Sequence, residues 1–133
     1  DDSGIEVDNL GGAPGVRSAY FGGPDATDEE NNARLIEALD GVPVAKRTAR
    51  YRCVAVVVDP SGRSVEAEAT CEGRIAEEPR GSGGFGYDPW FIPQGESRHM
   101  AELTLEEKQV ISHRGRALRA LIPLIQTLLV EKR

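Results

Sequence analysis

Asp1-Asp2-Ser3-Gly4 sets two carboxylates and a hydroxyl side by side at the start of a 133-residue chain. Ionised carboxylates are hard oxygen ligands of the kind that Mg²⁺ takes. A carboxylate beside such an ion can also draw a proton from an attacking water. An acidic turn is the competing reading, because Asp and Ser are common turn residues. A second cluster is Gly83-Gly84-Phe85-Gly86-Tyr87-Asp88-Pro89. Its glycines keep Phe85 out of any regular element, and an aromatic face stacks on a nucleobase for about 1–3 kcal/mol. Asp88 can accept hydrogen bonds from a base edge or a ribose. The alternative tucks Phe85 into the core, where apolar residues usually go.

A third cluster is Lys108 with Ser112-His113-Arg114-Gly115. Ser112 suits an N-cap, which puts His113 and Arg114 in the first turn of the next helix. Cations there oppose the helix dipole, so a ligand or an acid nearby would account for them. A solvated basic patch is the alternative. His99, beside Arg98 in a polar loop, reads as exposed. Two other chemistries find no support. No stretch matches the GxxxxGK[ST] pattern of a phosphate-binding P-loop. Gly81-Ser82-Gly83 lacks the strand–turn–helix setting of a nucleophile elbow.

The elements that must position these residues are legible in part. Residues 4–23 read as a strand end and a long, glycine-punctuated ordered loop. Thr27 and Glu30 have capping-box spacing and open a surface helix from Asp28 to Asp40, with Leu35, Ile36 and Leu39 on one side. Gly41-Val42-Pro43 ends it. Residues 48–58 read as a buried strand, because their second half is apolar and β-branched. Asp59-Pro60-Ser61-Gly62 is a turn, and residues 63–72 are the antiparallel partner. Residues 79–89 form a loop. Thr104 and Glu107 open a short helix with a second capping box. The helix after Ser112 carries Leu118, Leu121, Ile122, Ile125, Leu128 and Leu129 at helical spacing, and Pro123 should kink or restart it.

Length and charge narrow the function. The chain is of single-domain size, residues 1–133, without internal repeats, and its 39% hydrophobic content excludes a largely disordered tail. No apolar run approaches the roughly 20 residues of a membrane span, so no membrane partner is expected. The first residues have no basic stretch and no initiator Met. They read as neither a signal peptide nor a native start. Residues 1–44 hold ten acids and two bases, and the remainder twelve acids and fourteen bases. An acidic front end suits a divalent cation and a small anion better than a nucleic-acid backbone. With Val58 opposite Arg63, Cys53 faces Glu68 and Cys71 falls on the other face of the hairpin. Two reduced cysteines in a cytoplasmic protein are the expectation.

DDSGIEVDNLGGAPGVRSA, PRGSGGFGYDPWF, AELTLEEK and ISHRGRAL occur in one order and spacing over Asp1 to about Leu121. Together they resemble the inosine triphosphate pyrophosphatase family. The resemblance implies an α/β fold, an α/β/α sandwich around a long mixed sheet, and a homodimer. It implies Mg²⁺-dependent hydrolysis of inosine, deoxyinosine and xanthosine triphosphates to monophosphate and pyrophosphate. By motif, Asp2 would be general base and metal ligand, with Asp1 supporting the metal and Ser3 touching the nucleotide. Phe85 would stack on the purine, with Gly86, Tyr87 and Asp88 completing that wall. Lys108, His113 and Arg114 would read the base edge, with Ser112 nearby. Those three side chains are donors and suit the carbonyl at position 6 of hypoxanthine or xanthine.

The family's upstream Thr/Ser-Gly-Asn-x-x-Lys phosphate-binding segment and its acidic metal ligand are not in this sequence, nor are its first strand and helices. The expectation is therefore the C-terminal two-thirds of the domain, with its N-terminal part missing. A catalytically incomplete module that only binds purine or dimerises is the alternative. A related pyrophosphatase acting on modified pyrimidines is a third reading, which GFGYDP and ISHRG disfavour.

Overall fold

The computed structural model describes residues 2–58, 60–112, 116, 117, 119, 120, 122–124 and 126, with Asp2 given by its backbone alone. Four strands run β1 (Asp2–Val7), β2 (Thr48–Val58), β3 (Ser64–Ile75) and β4 (Phe91–Pro93), paired in that order. Every pairing among the described residues is antiparallel. The helices are α1 (Asp28–Ala38) and α2 (Leu105–Ile111), and both open on the capping boxes expected at Thr27/Glu30 and Thr104/Glu107. No described helix is long and apolar enough to cross a membrane.

The core lies on one face of the sheet. Ile5 and Val7 of β1, Ala49 and Tyr51 of β2, and Cys71 and Ile75 of β3 meet Leu35, Leu39, Tyr87, Phe91, Met100 and Leu103. The Tyr51 and Phe91 rings pack edge to face, 4.8 Å between centroids. Such contacts add about 1 kcal/mol to area burial. The other face is a charged ladder. Arg50 reaches Asp8 at 3.0 Å and Glu72 at 3.0 Å, while Arg52 reaches Glu6 at 2.9 Å and also Glu68. Alternation of core and ladder residues along β2 is the period-two signature of a sheet with one polar face.

Three sequence expectations change. The Val-rich half of β2 is not its buried half: Val56 and Val58 are exposed, while Ala49, Tyr51, Cys53 and Ala55 are buried. At that end a small cluster of Cys53, Ala55, Ala67 and Ala117 packs one face only. The hairpin register is also longer by one residue, with Val58 opposite Ser64 and Cys53 opposite Ala69. Cys71 then faces Tyr51, so both cysteines lie on the same face, because a one-residue slip reverses side-chain parity. Both remain free and buried, and burial pushes the Cys71 thiol up to about 11. Finally, His99 is buried rather than exposed. Its Nδ1 lies 2.7 Å from the Pro89 carbonyl, which only accepts, so Nδ1 carries the proton.

Ser112 is extended, and its carbonyl accepts from the Arg116 N–H, as an N-cap residue's carbonyl does. Beyond it Pro123 has helical conformation. Ala117 is fully buried and Ile122 is exposed. Leu118, Leu121, Ile125, Leu128 and Leu129 lie outside the described residues.

Candidate active site

Phe85 stands at the centre of the site. It is 54% exposed, as a core residue is not, and lines two cavities. One, about 130 Å³, is bounded by Asp88, Met100, Leu105, Lys108, Gln109 and Ser112. The other, about 180 Å³, includes Ser3, Gly4, Asp28, Tyr51, Gly86 and Tyr87 in its wall. The structure therefore brings Ser3, Phe85, Gly86, Tyr87, Asp88, Lys108 and Ser112 into one region. Asp1, His113 and Arg114 lie outside the described residues, and Asp2 is placed only as the first residue of β1, opposite Val54.

Asp88 organises the Phe85 loop from beneath. Its Oδ1 accepts from the Tyr51 hydroxyl at 2.9 Å. Its Oδ2 accepts from Lys108 Nζ at 2.7 Å and from the Phe85 N–H at 3.1 Å. Asp88 is buried, and both oxygens already serve protein donors. Asp88 therefore anchors the loop, and it also stands in the wall of the cavity that Lys108 lines. Burial, then the Asp88 charge, holds the Tyr51 phenol well above its ordinary value, so it stays a donor. Lys108 Nζ also lies 5.4 Å from the Phe85 ring centroid, and its ammonium carries further protons for the cavity. Gly84, at φ +79°, is required here: a Cβ would drive into the Asp88 carboxylate and the Lys108 ammonium.

The loop is held from α1 as well. Asp28 Oδ2 accepts from the Gly86 N–H at 2.9 Å, and Asn32 Nδ2 donates to the Gly86 carbonyl at 3.0 Å. Asn31 bridges the Gly22 N–H and the Ala19 carbonyl. The Tyr87 hydroxyl donates to the Ser18 carbonyl at 2.6 Å, and burial raises its pKa. Ser18 Oγ accepts from the Ile5 N–H and donates to the Gly15 carbonyl. That packs residues 15–18 against β1 so closely that a Cβ at Gly4 would meet the Gly15 carbonyl. Sequence reasoning missed Ser18, Asp28, Asn31, Asn32 and Tyr51. A cue exists for two of them, since Asn31 and Asn32 fall on the apolar side of α1 with Leu35 and Leu39. For Tyr51 the sequence offers none.

The donor set near β1 bears on a metal. Asp1 and Asp2 supply only carboxylates, the chemistry that Mg²⁺ takes. Next to them Ser3 Oγ is buried without a hydrogen-bond partner and belongs to the cavity wall, an orphan that suits a polar ligand. Among the described residues alone, no group of three or more His, Cys, Asp or Glu could hold an ion.

An antiparallel sheet with flanking helices, carrying an exposed aromatic ring between two cavities and a Lys108–Asp88 ion pair beside it, defines an α/β protein with a concave site at the Phe85 loop. The chain belongs to the Ham1 family, whose model matches residues 1–124. It is 49% identical over 132 residues to a dITP/XTP pyrophosphatase of Desulforamulus reducens, covering 99% of this chain and 66% of that protein. A dITP/XTP pyrophosphatase of Geobacillus kaustophilus is 54% identical over 118 residues, covering 89% and 58%. The solved nucleoside-triphosphatase / dITP/XTP pyrophosphatase of Mycobacterium abscessus superposes with a TM-score of 0.78 at 46% identity, covering 93% of this chain and 63% of that one. A HAM1 protein from Coxiella burnetii gives 0.85 at 40% identity, covering 94% and 64%. The α/β fold class and the family read from the four motifs are thus borne out. The chain spans 58–66% of the length of these two relatives.

Proposed function

We propose that this chain carries the base pocket and the general base of a pyrophosphatase for aberrant purine nucleoside triphosphates. The substrates are dITP, ITP and XTP, and the products are the monophosphate and pyrophosphate. The observation that carries the reading is Phe85, exposed on a loop pinned by Asp88 and α1. A purine stacked on it lies beside the Lys108 ammonium, whose remaining protons suit a carbonyl at position 6. Adenine would turn an amine toward the same donor. A site built around such a pairing rejects the wrong base by up to about 10⁴-fold. Ser112 lies in the same cavity wall, and His113 and Arg114 follow it in the chain as further donors.

Asp1 and Asp2 would hold Mg²⁺, which when bound neutralises phosphate charge and makes water more acidic. Asp2 accepts the proton of the attacking water. That water's oxygen bonds to phosphorus as the α–β phosphoanhydride breaks, and pyrophosphate leaves with the electron pair. Ser3 Oγ, buried and unpartnered, gains a partner in the nucleotide. A homodimer, on the family resemblance, and a cytoplasmic setting, on the two free cysteines, complete the proposal. A purine-binding or dimerising module without turnover is the second reading. It is favoured by Arg52, which shares a cavity wall with Ser3 and whose side chain is already engaged by Glu6 and Glu68.

The test is pyrophosphate release by the complete natural protein from ITP, dITP, XTP, ATP and GTP with Mg²⁺. Strong preference for the first three is expected, and Asp2→Asn should abolish turnover while nucleotide binding persists. Equal turnover of ATP, or release of single phosphates, would overturn the activity. Selective binding without turnover by the natural protein would favour the module.

A further inference from the structure

We propose that Asp28 and Asn32 are positioning residues that grip Gly86 from both sides and so set the attitude of the Phe85 ring. The inference rests on the stacking role given to Phe85 above. Asp28 and Asn32 stand one helical turn apart on α1, so their side chains share a face. Asp28 Oδ2 takes the Gly86 N–H at 2.9 Å, and Asn32 Nδ2 reaches the Gly86 carbonyl at 3.0 Å. The backbone of one residue, more than fifty positions downstream, thus has both its polar groups bound by one helix.

The orientation of the Asn32 amide follows from its neighbours. Nδ2 faces two carbonyl oxygens, those of Asp28 and Gly86, and carbonyls only accept. Oδ1 is left buried without a partner. Burying an amide with an unmet acceptor is unfavourable, so the residue's contribution lies in its two donations.

Phe85 needs such help. More than half of its surface is open, so packing alone cannot orient it. Its own N–H is held by Asp88, and the following residue by α1. Gly86 sits at φ +60°, a conformation glycine reaches without strain but does not prefer over others. The two α1 bonds select it. Asp28 also lies in the wall of the cavity shared by Ser3 and Phe85, so the clamp is part of the pocket.

The experiment uses the complete natural protein. Asp28→Ala and Asn32→Ala should each raise KM for inosine triphosphate about fivefold, with kcat within about twofold of the parent. The dissociation constant for inosine triphosphate in EDTA, by calorimetry, should rise with KM. Asp28→Asn keeps an oxygen that can accept from Gly86 and should restore near-parental KM. Exchange of the Gly86 amide, followed by NMR, should accelerate in Asp28→Ala and not in Asp28→Asn. Asp28 is exposed at the start of a helix, so its variants carry the test should Asn32→Ala fail to fold. Unchanged Gly86 exchange in Asp28→Ala, or faster exchange with unchanged KM, overturns the clamp. A parent that does not bind inosine triphosphate overturns the proposed function and the clamp with it. A binding parent with unmoved variants overturns the clamp alone.

Discussion

At the scale of single residues, the site divides into what meets solvent and what lies beneath it. Phe85 faces outward, while buried Asp88 and Tyr51 and half-buried Lys108 form a bonded set under it. Truncating Phe85 therefore removes stacking and little core. Phe85→Ala should raise KM for inosine triphosphate about tenfold, the equivalent of about 1.4 kcal/mol, with melting temperature nearly unchanged. A large fall in melting temperature with parental kinetics would return Phe85 to the core. The aromatic between glycines was visible in the sequence, because glycine and proline spacing excludes regular structure locally. The occupation of both Asp88 oxygens was not, because Tyr51 lies 37 positions away, on β2.

At the scale of elements, both helices begin where their capping residues stand. Thr104 caps α2, and Glu107 returns the bond while pairing with Arg98 at 2.6 Å. Arg98 and then the Thr104 N–H hold the Glu107 carboxyl down at about 2, from a usual 4.5. A depressed carboxyl contributes stability that is present above its unfolded value and is lost as pH falls through its folded one. The melting-temperature gap between parent and Glu107→Gln should therefore narrow as pH drops from about 4.5 toward 2. The pair is at the surface, so high salt should narrow the gap as well. A gap that is constant down to pH 2 would contradict the depressed value. α1 has a second task that its amphipathic pattern does not announce, since Asn31 and Asn32 use its inner side to bind two loops.

Across the molecule, α1 is tied to the sheet at its other end by Arg47. The guanidinium is buried and donates to the carbonyls of Leu39, Val42 and Ala76 at 3.1, 2.8 and 3.0 Å. Arg47→Met would leave three carbonyls without that donor and should lower stability by about 3 kcal/mol in thermal unfolding. A loss under about 1 kcal/mol would show that water replaces the guanidinium freely. The same contrast between local and distant bonding separates what the chain's order of residues determines from what folding decides. Capping boxes, the hairpin turn and the glycine loop follow from the sequence by itself, because their bonds or exclusions span three or four neighbours. The one-residue hairpin register, the burial of His99, the Asp88 anchor and the α1 grip on Gly86 were settled only by the tertiary structure. Each depends on donors and acceptors brought together from different elements, and the pattern of one segment carries no information about which partner it will meet.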